Sequence, residues 1–264
     1  MSIPSPKTGS AALVTGASSG IGRELARQLC GRGHDVIIVA RRRERLDELA
    51  QELRTAHGRR VEVIACDVSD PDARAELHQA VQDLGLTIDV LALAAGFGLG
   101  GEFVAEEVPR IRLMIRTNVE GTIELAHVCA SEMAARGTGA ILILSSIAGE
   151  QPMVNFAVYG ATKAALTSFS EALHTELRPH GVTVTVVCPG GVDTEFAQIA
   201  DMVRADHRMR AIRMTPQDCA TAALSALERG ERKHIPLLRV RLVFGISKVI
   251  PRGLWLRIGQ RMAS

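Results

Sequence analysis

Ala11-Ala12-Leu13-Val14-Thr15 runs without a break into Gly16-Ala17-Ser18-Ser19-Gly20-Ile21-Gly22. The first five residues form the short aliphatic run of a buried strand, and a helical pattern, Gly20–Gly31, starts inside the glycine group. Glycine at a strand-to-helix turn tolerates positive φ and lets backbone N–H groups approach an anion. The helix start adds orphan donors and a partial positive charge. Gly16, Ser18, Ser19, Gly20, Ile21 and Gly22 are therefore candidate contacts for a pyrophosphate. The spacing is Gly-x-x-x-Gly-x-Gly, not Gly-x-Gly-x-x-Gly, so a tight connection without a ligand is the competing reading.

Outward from this turn the strand-then-helix alternation continues. Strands are predicted at His34–Ala40, Val61–Cys66, Asp89–Ala94, Ala140–Ser145 and Val182–Cys188. Helices are predicted from Arg43 to about His57, from Pro71 with Asp70 as cap, from about Pro109 to Arg136, over Tyr159–Pro179, and from Thr215-Pro216 to Gly230. That order implies right-handed crossovers and a parallel sheet between two helical layers, an α/β class. Hydrophobic residues make up 47% of the 264 and aromatics only 3%, so aliphatic side chains must build the core. One domain is expected, with a flexible N-terminus over Met1–Ser10.

The formal net charge of +2 gives no reason to expect nucleic acid, but its distribution is uneven. From Arg232 to Ser264 there are eight Lys/Arg and no Asp or Glu, leaving 23 basic against 29 acidic residues before it, a net of −6. This basic extension also carries Leu237, Leu238, Leu242, Phe244, Leu254 and Trp255. Peripheral contact with an anionic membrane is one reading; packing on the domain or against another subunit is the other. The five scattered cysteines read as reduced, buried thiols, which fits a cytoplasmic setting. No apolar stretch is long enough to span a bilayer, and no metal-ligand spacing is present.

The second predicted strand ends in Arg41-Arg42-Arg43. A carboxylate there would bind an adenosine ribose and select NAD; guanidinium groups suit a 2′-phosphate, hence NADP(H), with Arg41 and Arg42 as contacts, and a solvated basic start to the helix continuing Glu44, Arg45, Asp47 and Glu48 is the alternative. Asp67-Val68 closes the third strand, where Asp67 either reaches an adenine amino group or turns the chain. Tyr159 is the only tyrosine and Lys163 follows it by four residues, one helical turn away on the same face. A tyrosine titrates near a pKa of about 10. A fixed ammonium is expected to lower that value and make the phenol an acid/base, while a pair that simply decorates a helix face is the other reading. Ser145-Ser146 follows the fifth strand, where a hydroxyl can bind a substrate oxygen or simply form a turn. Asn118 inside a predicted helix has either a site task or a structural backbone bond.

Together these residues resemble the short-chain dehydrogenase/reductase family in its compact form, over roughly Ala11 to Gly230. The motifs occur in family order: Thr15–Gly22, Asp67-Val68, Asn118, Ser146, Tyr159-x-x-x-Lys163 and Pro189-Gly190-Gly191-Val192-Asp193-Thr194. The resemblance implies a doubly wound Rossmann fold with seven parallel strands and hydride transfer between NADP(H) and a carbonyl or secondary alcohol. It implies Tyr159 as general acid/base, Lys163 as its pKa-lowering neighbour on the nicotinamide ribose, and Ser146 orienting the carbonyl. Asn118 would hold a relay water, and Pro189, Gly190, Val192 and Thr194 would meet the nicotinamide end. Where the family commonly has Asn-Asn-Ala-Gly, this chain has Leu93-Ala94-Ala95-Gly96. Ala95 and Gly96 keep a small-residue wall for the ribose, while the missing amides are expected to weaken local support.

A partly apolar substrate is expected beside Phe97, Leu99, Met153, Val154, Phe156 and Phe196, in segments Gly96–Gly101, Gln151–Val158 and the stretch after Thr194. The resemblance also implies a homodimer or homotetramer, through the helices near Asn118 and after Tyr159. A non-catalytic NADP(H)-binding regulatory or scaffold protein is the alternative on the same fold.

Overall fold

The computed structural model describes residues 3–196, 213–247 and 250–263. Seven parallel strands form one sheet: β1 (Ser10–Thr15), β2 (Asp35–Ala40), β3 (Val61–Ala65), β4 (Thr87–Leu93), β5 (Gly139–Leu144), β6 (Val182–Val187) and, at one edge, β9 (Lys233–His234). Their order is β3-β2-β1-β4-β5-β6-β9. A two-residue pair, β7 (Gly191–Val192) with β8 (Arg213–Met214), lies apart from it. The sequence reading expected seven strands but located six. The seventh is two residues long, polar, and inside the stretch expected to be an extension, so no hydrophobic run announces it.

Strand alternation divides the core. Ala12, Val14, Val36 and Ile38 face a layer made by α1 (Gly20–Gly31), α2 (Arg43–His57) and α7 (Pro216–Glu228). Ala11, Leu13, Ile37 and Val39 face the other layer, where α3 (Pro71–Asp83), α5 (Gly121–Arg136) and α6 (Ala157–Leu177) pack. A strand buried on both sides cannot show polar alternation, which explains the near-continuous aliphatic runs. Each fully buried Leu or Ile contributes roughly 2–3 kcal/mol on transfer from water.

The helix ends follow their side chains. Asp70 accepts a hydrogen bond from Asp72 N at 3.0 Å before Pro71 opens α3, and Thr215 accepts one from Asp218 N at 3.0 Å before α7. Gly58 and Gly137 end α2 and α5 in the left-handed conformation. The single long helix predicted from Pro109 to Arg136 is interrupted: α4 (Val108–Ile115) passes through a π-helical turn, Arg116–Glu120, into α5. Ahead of β1, Ile3 rests on the core and Lys7 pairs with buried Asp89 at 3.3 Å. The basic end forms α8 (Leu238–Ser247) and α9 (Arg252–Ala263). All five cysteines are free and buried, and no described helix is long and apolar enough to cross a membrane.

Candidate active site

The chain reverses direction across the sheet between β1 and β4, and a cleft of about 500 Å³ opens at the carboxyl ends of these strands. Its lining joins the predicted residues into one site. Gly16, Ser18 to Gly22, Arg41, Arg42, Asp67 and Val68 form one end, and Ser146, Tyr159, Lys163, Pro189, Gly190, Val192 and Thr194 the other; Ala95 and Gly96 lie on the same wall. Asn118 is fully buried beneath that wall.

At the glycine turn, Gly16 has φ +70°, and a Cβ there would lie 2.8 Å from the Ala94 carbonyl oxygen. A Cβ on Gly22 would collide with the Gly16 carbonyl oxygen. Backbone packed this closely leaves an open cradle above it. Ser19 precedes α1 without a side-chain cap, and the first turn has no acidic residue. The N-terminal donors thus face the cleft with no competing side-chain acceptor from Ser19, an arrangement that fits a dinucleotide's pyrophosphate.

The arginines at the end of β2 meet protein partners. Arg42 donates to Ser18 Oγ at 3.1 Å and Ser19 Oγ at 2.9 Å, and pairs with Glu195 at 2.9 Å. Arg45 holds the other Glu195 oxygen at 2.5 Å, and the two guanidinium groups keep the Glu195 carboxyl below its usual range. For the cationic cluster at the α2 start the sequence offers a phosphate or solvent; the Glu195 carboxylate is not legible there, since nothing local connects positions 150 residues apart. Asp67 turns the chain: its Oδ1 accepts from Ser69 N at 3.0 Å and Ser69 Oγ at 2.8 Å. Its Oδ2 lies 3.8 Å from Arg41.

The expected weakness at Leu93-Ala94-Ala95-Gly96 does not arise. Thr15 Oγ1 accepts from both Ala94 N and Ala95 N at 3.1 Å. Asn118 accepts from Phe97 N at 3.0 Å and donates to Phe97 O at 2.9 Å and Thr162 Oγ1 at 3.1 Å. Its amide is therefore engaged with protein on both atoms, the structural option left open by the sequence. The amide ties the π-helical turn to the ribose wall and to α6.

At the other end, Tyr159 and Lys163 are both buried on α6, with Lys163 Nζ 5.8 Å from the tyrosine ring centre. Lys163 donates to Leu144 O at 2.9 Å. Ser146 caps the turn Ile147–Gly149, accepting from Ala148 N at 3.1 Å. Ser145 bonds Lys163 O at 2.8 Å and Thr167 Oγ1 at 2.8 Å, so it serves the scaffold. The predicted lowering of the Tyr159 pKa is reversed among the protein's own groups. Burial pushes the phenol up to about 12, opposed by its hydrogen bond with Ser146, while burial pushes Lys163 down to about 8. Desolvation dominates both shifts because both groups leave water together.

Phe97, Met153, Phe156 and Phe196 surround Tyr159 and line the cleft; Phe196 stands 5.4 Å and Phe156 6.4 Å from its ring centre. Leu99 is buried in this cluster, whereas Val154 stands outside it. Leu113, Thr117, Ile147 and Ala148 also line the cleft and were not foreseen, because they reach it only through the break after α4 and the turn after Ser146. The variable stretch after Thr194 is described as far as Phe196; 197–212 lies outside the described residues.

Comparisons with known proteins agree with this arrangement. A family model described as short chain dehydrogenase matches residues 10–203. An uncharacterized oxidoreductase of Staphylococcus epidermidis is 32% identical over 232 residues, covering 88% of this chain and 96% of the relative. The solved structure of a short-chain dehydrogenase from Sphingobium yanoikuyae in complex with NADPH is 32% identical, with a TM-score of 0.82 over 92% of this chain and 97% of that one. A 7beta-hydroxysteroid dehydrogenase structure is 26% identical, with a TM-score of 0.87 over 98% of this chain and 100% of that one. The chain belongs to the short-chain dehydrogenase/reductase family, oxidoreductases that work with a nicotinamide cofactor.

Proposed function

We propose that this protein is an NADP(H)-dependent oxidoreductase acting on a carbonyl or secondary alcohol carbon, with Tyr159 as general acid/base. One observation carries the reading. Tyr159, Ser146 and Lys163 converge in the same cleft as the Gly16–Gly22 turn and the Arg41/Arg42 pair. A bound nicotinamide dinucleotide supplies the hydride. Gly16 to Gly22 and the α1 start receive its pyrophosphate, Arg41 and Arg42 its 2′-phosphate, and Val192 and Thr194 its carboxamide end.

The remaining chemistry falls to the chain's own groups. Ser146 Oγ accepts the Ala148 N–H and its hydroxyl bonds the Tyr159 phenol, so its proton would turn from the phenol to a substrate oxygen that enters beside both. A phenol raised to about 12 is fully protonated near neutrality, the form that donates a proton to a developing alkoxide. Lys163 uses one proton on Leu144 O and keeps two for ribose hydroxyls. Asn118 acts as a positioning residue through Phe97 and Thr162. The phenylalanine and methionine wall favours a partly apolar substrate, and Phe196 shields the phenol from water. Helices α5 and α6 are the faces proposed for a homodimer or homotetramer.

The test is a panel of carbonyl compounds with NADPH, run on the parent and on Tyr159→Phe. Loss of an acid/base of this kind lowers turnover by about 10²–10⁴ with cofactor affinity retained. Equal turnover in both proteins would remove Tyr159 from the chemistry. Intact NADPH binding without turnover in either would favour a non-catalytic binder.

A further inference from the structure

We propose that α8 and α9 dock the protein on an anionic bilayer surface and hold the substrate side of the cleft against the lipid. The inward contacts of this helix pair fix its position. Val240 and Phe244 bury against Ile147, the residue after Ser146. Trp255 stands 5.9 Å from the Phe244 ring centre, and its indole N–H donates to Pro152 O at 3.0 Å. The pair is therefore built onto the segment that also carries Ser146 and Met153.

The outward contacts are unlike those of an ordinary surface helix. Leu238, Leu242, Val243, Leu254 and Leu256 are exposed, Leu238 to 67% and Leu254 to 51%. Such a patch on a helix that already buries its inner stripe marks a further contact. Arg239, Arg241, Arg252 and Arg257 are exposed beside these leucines. The basic residues divide by position. Arg232 and Lys233 pair with Glu171 and Glu150 and anchor β9. The four arginines on the helices pair with no carboxylate among the described residues, and positions 232–264 contain none.

A second copy is a poor occupant. A twofold contact would set this patch against itself, basic on basic, with no acidic residue from either side. An anionic bilayer answers both features, taking the leucines into the acyl boundary and the guanidinium groups at phosphate. The helices would lie on the surface, since no described helix can span it. As a corollary that rests on the proposed chemistry, the substrate class is a lipid-soluble ketone, aldehyde or alcohol drawn from the bilayer.

Sedimentation of the full-length protein with phosphatidylglycerol and phosphatidylcholine vesicles, at low and high salt, tests the docking without reference to turnover. Binding is expected to phosphatidylglycerol, weakening with salt. Leu238→Glu/Leu242→Glu and Arg239→Ala/Arg241→Ala should each lower partitioning by on the order of tenfold or more while retaining NADPH binding. No binding to either vesicle, or equal binding by both variants and the parent, would overturn the proposal. So would a smaller assembly on size-exclusion chromatography for the Leu238/Leu242 variant without a change in vesicle binding, which would give the patch to a second copy. Failure of the proposed chemistry shows separately, in the vesicle-free comparison with Tyr159→Phe.

Discussion

Lys163→Met isolates the electrostatic state of the site. The ammonium is buried beside an uncharged phenol, and its pKa falls from 10.5 to about 8. That fall corresponds to roughly 3 kcal/mol. The sign follows from proton counting. Between pH 8 and 10.5 the unfolded chain holds a proton on this lysine that the folded chain has released, so stability rises with pH across that window. The contribution is present above 10.5 and lost as pH falls through about 8. Methionine keeps most of the volume and removes the titration. The lost hydrogen bond to Leu144 O adds an offset, because a neutral amine also donates. Urea unfolding of parent and variant at several pH values between 7 and 10.5 gives the difference in stability directly. It should move by about 3 kcal/mol in the parent's favour as pH rises, while other titrating groups cancel. A difference independent of pH would refute the burial argument, as would movement in the opposite direction.

Two further predictions concern the adenosine end. Arg41→Ala/Arg42→Ala should weaken NADPH relative to NADH by about tenfold, the scale of a partly exposed charge-assisted pair, and an unchanged ratio in paired titrations removes both arginines from cofactor choice. Glu195 holds the Arg42 guanidinium that a 2′-phosphate would need, so Glu195→Gln should tighten 2′,5′-ADP binding several-fold and leave 5′-AMP unaffected in calorimetry. Weaker 2′,5′-ADP binding in that variant would assign Glu195 to holding Arg42 in place instead.

Much of the fold was legible because parallel strands buried on both faces leave long aliphatic runs, as in Val36–Val39 and Ile141–Ile143. Caps at Asp70 and Thr215 were legible because they act within three residues. β9 was not: it is a two-residue edge strand whose place is set by β6 and by the pairing of Lys233 with Glu150 and Glu171. The π-helical turn was hidden by a continuous helical pattern, with only Asn118 as a signal that something there departed from it. Likewise Thr15 holds the backbone after β4 and Glu195 faces Arg42; both are long-range contacts that spacing along the chain does not encode. The resemblance named the members of the site, but burial fixed their electrostatics.

That electrostatics bears on direction. An acid in the proposed reduction must be protonated before the reaction, and burial of Tyr159 ensures this. A base in the reverse reaction must instead reach the phenolate, and the chain's own groups oppose it: Lys163 is itself losing its proton near pH 8. On the proposed reading, oxidation would need positive charge brought into the cleft from outside the chain, whereas the protonated phenol is already the form that reduction uses. The same desolvation that makes the phenol a poor base makes its proton strongly coupled to any negative charge growing within hydrogen-bonding distance, since little water competes for it. On the proposed reading, the raised phenol is a consequence of the wall formed by Phe97, Met153, Phe156 and Phe196, which keeps water from the reacting oxygen.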